Sequence, residues 1–135
     1  MVDLYGAAQA GRIPRPAPAR LPWKPKIAVT ARVTPTCVHP GHLMHLVVTT
    51  HPVAAIAYQA VYSDNRGGGP APYGAGYGGN GKGIADASGH FTSSWVISSS
   101  APAGVARVDV VVAIQGNRWG YKSLTFDVGP DAACT

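Results

Sequence analysis

Glutamate is absent from the 135 residues, and all six acidic side chains are Asp. With no Glu, and with Val, Ala, Thr, Ser and Gly abundant, long exposed helices are disfavoured and strands and turns are favoured. Long apolar runs are missing as well. No stretch reaches the roughly 18 apolar residues of a membrane-spanning helix, and residues 1 to 25 lack the apolar block of a secretory signal. Three origins fit that pattern: assembly in the cytoplasm, a mature segment behind an added Met1, or export by another route. Paired carboxylates and a G-x-S-x-G elbow are also lacking. Ser and His are plentiful but have no ordered third partner, so no active site is identifiable and the chain reads as non-enzymatic. The length suits one core with an extension and leaves no room for two.

What is present is an uneven charge. The formal net charge is +5. Arg12, Arg15, Arg20, Lys24, Lys26 and Arg32 lie in the first 32 residues, opposed there only by Asp3. The remainder balances five basic residues against five Asp. The positive field therefore belongs to residues 1 to 25, which also carry Pro14, Pro16, Pro18, Pro22 and Pro25. Prolines at this density fix φ and remove backbone donors, so the segment is expected to be extended and polyproline-like, unable to build a core. Two readings stand: a flexible linker, or an arm that docks on a partner. In the second, Leu21 and Trp23 act as apolar anchors among Arg12, Arg15, Arg20 and Lys24.

From Lys26 the pattern changes to period two, with Ile27, Val29, Ala31 and Val33 on one face. After a turn-rich corner at Pro35 to Gly41, His42 to Thr50 alternates through Met44, Leu46 and Val48. Ala55 to Tyr62 follows with Ile56, Tyr58, Ala60 and Tyr62 on one face, and these three strands suggest a meander. Further strands are expected as a short edge at Ile84 to Asp86, then Phe91 to Ser98 with Trp95 inward, Val105 to Gln115, and Trp119 to Val128. Seven short strands with turns between them predict an all-β sandwich, residues 26 to 135, behind the arm.

Ser63 to Gly83 reads as one long loop holding nine of the 17 glycines, with Tyr73 and Tyr77 in it. A loop of this length is uncommon unless functional or disordered. Tyr among Gly and Asn is the composition of adaptable binding loops. A solvated Gly-rich excursion is the equal alternative, and a soluble carbohydrate- or ligand-binding module using Tyr73 and Tyr77 is the functional form of the first.

The stretches Pro35-Thr-Cys-Val-His-Pro-Gly41, Tyr62-Ser-Asp64, Ala85-Asp-Ala-Ser-Gly89 before Phe91 and Trp95, and Ala101-Pro-Ala-Gly104 before Val108 resemble the immunoglobulin-like modules of bacterial surface and secreted proteins. Similar modules occur on tailed-phage virions. The resemblance spans about 100 residues and implies an immunoglobulin-like fold of about seven antiparallel strands on a cell envelope, virion or filament. In such a sandwich the first and last strands run side by side and parallel, so Cys37 and Cys134 are expected to meet in a disulfide. Two independent thiols are the alternative in a reducing compartment.

His39, His42 and His45 share an H-x2-H-x2-H spacing, but residues three apart on a strand face opposite ways, so these read as surface histidines and no metal or other cofactor is expected. A calcium site from Asp64, Asn65 and Asp86 lacks EF-hand spacing. Nucleic acid binding rests on the arm alone and is not favoured. The expected function is a structural or adhesive module, displayed at an exposed surface, whose arm binds a protein partner or further copies of itself. An anionic polymer or glycan suits the arm's charge equally well.

Overall fold

The computed structural model describes residues 27–70, 74–129 and 134. Eight strands appear there: β1 Thr30–Thr34, β2 Cys37–Val38, β3 Leu43–Thr49, β4 Ala55–Val61, β5 Asn80–Ile84, β6 His90–Val96, β7 Gly104–Ile114 and β8 Arg118–Val128. They form a three-stranded sheet in the order β1-β3-β6 and a five-stranded sheet in the order β2-β8-β7-β4-β5. The expected all-β architecture in two sheets is present.

Alternation in the sequence becomes the two faces of each sheet. Met44, Leu46 and Val48 of β3 are buried, as are Ile56, Tyr58 and Ala60 of β4 and Val108, Val110 and Val112 of β7. A strand directs successive side chains to opposite faces, so these triplets converge on one core while the residues between them face outward. A polar bond crosses that core: the Tyr58 and Ser93 hydroxyls, on opposite sheets, are hydrogen-bonded to each other. Ser93, an inward polar residue on β6, is thereby satisfied.

The meander expected of the first three strands does not form. β3 pairs with β1 and β6, whereas β4 lies in the other sheet between β5 and β7. Alternation tells which face is buried and not which sheet a strand joins. Here the His51–Ala54 turn carries the chain across: the Ala54 N–H donates to the His51 carbonyl and the Val53 N–H to the Asp86 carbonyl. The predicted corner at Pro35 to Gly41 contains a further strand. After the cis Thr34–Pro35 bond, β2 leaves the first sheet and runs parallel to β8, with Asp127 opposite Cys37 and Val128 opposite Val38.

The largest departure lies in the Gly-rich segment, whose last part is strand β5 and not loop. Gly81 and Gly83 alternate there with Asn80 and Lys82, Gly79 immediately precedes the strand, and each of the three glycines lies over an aromatic ring. A Cβ at Gly79 would sit 2.9 Å from Trp95 Nε1, one at Gly81 3.0 Å from Tyr58, and one at Gly83 2.5 Å from Phe91 Cε1. Hydrophobic periodicity does not register glycine, so an inward face made of glycine is read as loop.

Those rings form a continuous series through the core. Phe91 lies 6.3 Å from Tyr58, Tyr58 5.7 Å from Trp95, Trp95 6.5 Å from Phe126, Phe126 6.1 Å from Tyr62, and Tyr62 5.2 Å from Tyr77, centroid to centroid. Such separations lie within the favourable range for aromatic pairs. Gly79 is also at φ +98°, where a side chain is strained, and its Cβ would meet Ala60 Cβ at 2.7 Å. Gly79→Ala should therefore cost about 2–3 kcal/mol, combining overpacking with left-handed backbone. Gly76→Ala, at φ +75° with nothing within 4 Å, should cost only about 1 kcal/mol. Urea midpoints of the two variants check the contrast.

Candidate functional site

The sandwich has two dissimilar ends. At one, the Ile27 N–H donates to the Trp119 carbonyl at 3.2 Å, and around it lie the β7–β8 hairpin, the His51–Ala54 turn and the turn at Asp86–Gly89. This arm end is where residues 1–26 join the described fold. At the other end, the loop end, lie the Gly-rich segment between β4 and β5, the β6–β7 connection, and Cys37 with Cys134.

The Gly-rich loop is knitted by its own backbone. Gly68 N–H donates to the Ala60 carbonyl at 2.8 Å, Gly78 N–H to Gly68 at 2.9 Å, Ala75 N–H to Gly67 at 2.9 Å and Gly76 N–H to Gly69 at 2.8 Å. Gly68 and Gly78 approach so closely that a Cβ on Gly68 would overlap the Gly78 carbonyl oxygen. Close backbone packing of this kind is open only to glycine, so glycine here serves proximity more than mobility. The loop is tied to the β6–β7 connection by Ser98 N–H donating to the Tyr77 carbonyl.

Tyr77 points inward. It is 9 % exposed, its ring meets Tyr62 edge-on, and its hydroxyl donates to Asp64 Oδ2 at 2.7 Å. The Asp64 bond is the main reason its hydroxyl pKa is raised. For Tyr62 the raising cause is burial, offset in part by the neighbouring Trp95 indole; its hydroxyl donates to the Gly78 carbonyl at 2.8 Å. Tyr77 thus fastens the loop to the core, a role that Asp64, two residues beyond Tyr62, makes possible and that loop composition alone does not signal. Tyr73, and the arm residues Arg12, Arg15, Arg20, Leu21, Trp23 and Lys24, lie outside the described residues.

Cys37 and Cys134 form a disulfide, with Cα atoms 4.8 Å apart and a sequence separation of 97. Parallel pairing of β2 with β8 brings the two positions together, and Cys134 is buried. Among the histidines, His39 and His42 rings lie 5.5 Å apart, while His45 Nδ1 is hydrogen-bonded to the Ser94 hydroxyl. Among the described residues no group of three or more His, Cys, Asp or Glu is placed to hold a metal ion. Asp64 and Asp86, weighed above as calcium ligands, lie at opposite ends of the sandwich and cannot share an ion. Nor, among those residues, is any helix long and apolar enough to cross a membrane.

Asp86 organises the turn at the arm end. Its Oδ1 accepts from the N–H groups of Ser88 at 2.8 Å and His90 at 2.9 Å. The His90 N–H contributes most to holding its pKa below the ordinary 3.8, with Ser88 next. No protein-family model matches the chain, and no curated protein matches it in sequence.

Two outcomes follow from these bonds. Closing a loop across a sequence separation of 97 removes unfolded-state entropy worth about 4.7 kcal/mol. Reduction, or the paired Cys37→Ser and Cys134→Ser replacement, should lower stability by about that amount in denaturant titrations with and without reductant. Because the folded-state pKa of Asp86 is depressed, its contribution is present above 3.8 and lost as pH falls through the lower folded value. Wild type should exceed Asp86→Ala in stability at neutral pH, and urea unfolding across a pH series should show the gap closing in acid.

Proposed function

We propose that the protein is a non-catalytic, immunoglobulin-like structural or adhesive module, held by its N-terminal arm on a larger assembly such as a cell envelope, a virion or a filament. The immunoglobulin-like part is supported by the strand order. Two sheets of three and five strands interleave strands that are not neighbours in sequence, and the chain's first segment changes sheets to end parallel to its last strand. The eighth strand, beyond the usual seven, is the two-residue β2.

The observation that carries the functional reading is the polarity of the fold. The arm joins at one end, while the Gly-rich loop and the disulfide lie at the other. A module fixed through Arg12, Arg15, Arg20, Leu21, Trp23 and Lys24 therefore turns the loop end outward. A disulfide fits an oxidising exterior, where such bonds persist. The ligand-binding alternative has Tyr73 left to it, since the Tyr77 ring is committed to the core.

Deleting residues 1–25 should abolish recovery of the protein with its native particle or envelope fraction, as scored by co-sedimentation. Raising the salt concentration should weaken recovery of the intact chain, because exposed charges are screened beyond roughly 8–10 Å at physiological ionic strength. Undiminished co-sedimentation of the truncated protein would refute docking through the arm.

A further inference from the structure

On one side of the sandwich the two sheets are edged by β5 and β6, which face each other across the core where Gly83 lies over the Phe91 ring. Along this side the sandwich is incompletely closed. Inward residues of the interior strands, such as Leu46 and Val110, are fully buried, whereas Gly81 and Gly83 of β5 and Phe91 and Ser93 of β6 are only partly so.

The same edge carries a row of unfilled backbone groups. Two bonds set the phase of the β4–β5 ladder: the Ala85 N–H donates to the Ala54 carbonyl, and the Ala60 N–H to the Gly79 carbonyl. Opposed residues of an antiparallel ladder alternate between bonded and non-bonded pairs, so Gly79, Gly81, Gly83 and Ala85 turn their N–H and C=O groups toward β4. Those of Asn80, Lys82 and Ile84 turn away from it, and β5 is the last strand of its sheet. All three residues are exposed, and among the described residues nothing is bonded to their outward backbone groups. Such a row is a template for another strand.

We propose that β5 receives an extended segment of a partner protein, added as a further strand of the sheet, with an acidic residue opposite Lys82 and an apolar residue on each side of it. Register dictates that order. Opposed residues in a ladder project to the same face, so the residue opposite Lys82 lies on the outward face and its neighbours, opposite Gly81 and Gly83, lie inward. Glycine leaves those inward positions without side chains, and apolar groups beside them complete the cover of Phe91. The ion pair of the described residues joins Arg107 to Asp109, so Lys82 has no carboxylate partner among them. An acidic residue directly opposite supplies one, since opposite charges across a ladder attract and like charges repel. The same features disfavour a second copy of β5 as the occupant. The antiparallel register that uses all three positions sets Lys82 against Lys82, and in any register a second β5 brings glycine to the side where Phe91 lies bare. Lysine on an exposed edge is a guard against such self-pairing. Backbone bonds then supply the affinity and alternate side chains the selectivity. The seat draws on no residue of the arm, so it stands or falls apart from docking through the arm.

NMR on the full-length protein, titrated with a short synthetic peptide alternating valine and aspartate, tests it. The amides of Asn80, Lys82 and Ile84 and the Phe91 ring should shift together, and those amides should gain protection from hydrogen exchange, while Met44 and Leu46 stay in place. Lysine in place of aspartate in the peptide should weaken binding about tenfold, and Lys82→Glu, an exposed replacement, should reverse the preference. N-methylation of the aspartate amides should abolish binding. The inference is overturned if the three amides do not move, or if the lysine peptide binds wild type as tightly as the aspartate peptide. It is overturned equally if those amides are shielded from exchange without peptide and lose the shielding on dilution, which would assign the edge to a second copy.

Discussion

Trp95 is the residue around which both sheets close. Its ring is packed against Tyr58 and Phe126 of the opposite sheet and roofed by Gly78 and Gly79. Its indole N–H has no acceptor among the described residues. An unpaired buried donor costs stability, so this position is held by shape and by stacked aromatic surface. The alternating glycines at and just before β5 follow from it: any side chain at Gly79, Gly81 or Gly83 would invade the space of Trp95, Tyr58 or Phe91. The folded Gly-rich loop follows in turn, because its strands of backbone must reach the core closely enough to cover the ring.

The sandwich was legible in the sequence wherever a strand carries one apolar face. Met44-Leu46-Val48 and Val108-Val110-Val112 announce both their strand character and their buried side, and every one of these residues is buried. Legibility fails where the inward residue has no side chain. Asn80–Ile84 reads as Gly-rich loop because the cue is an absence repeated every second residue; the alternation of glycine with Asn80 and Lys82 is the signal that identifies it. It fails also for sheet membership, since His51–Ala54 looks like any tight turn although it moves the chain between sheets. The candidate site was legible in part. The pairing of Cys37 with Cys134 was expected and is present, whereas the inward turn of Tyr77 depends on Asp64 and Tyr62, whose approach is tertiary.

The disulfide and the polarity of the fold bear on each other. β1 and β2 run from the arm end to the loop end, as β8 does beside them, and the first segment is joined to β8 at both ends, by the Ile27 N–H to the Trp119 carbonyl and by the short pairing of β2 at Cys37 and Val38. The shortest covalent path from Ile27 to Cys134 therefore passes through Cys37 and across the sulfur bridge, bypassing the residues between the two cysteines. Tension applied between the arm and Cys134 is carried by residues 27–37 and the bridge, while the aromatic core and the Gly-rich loop sit inside a closed covalent ring. A load taken at Cys134 therefore leaves the glycines over Trp95 outside its covalent path.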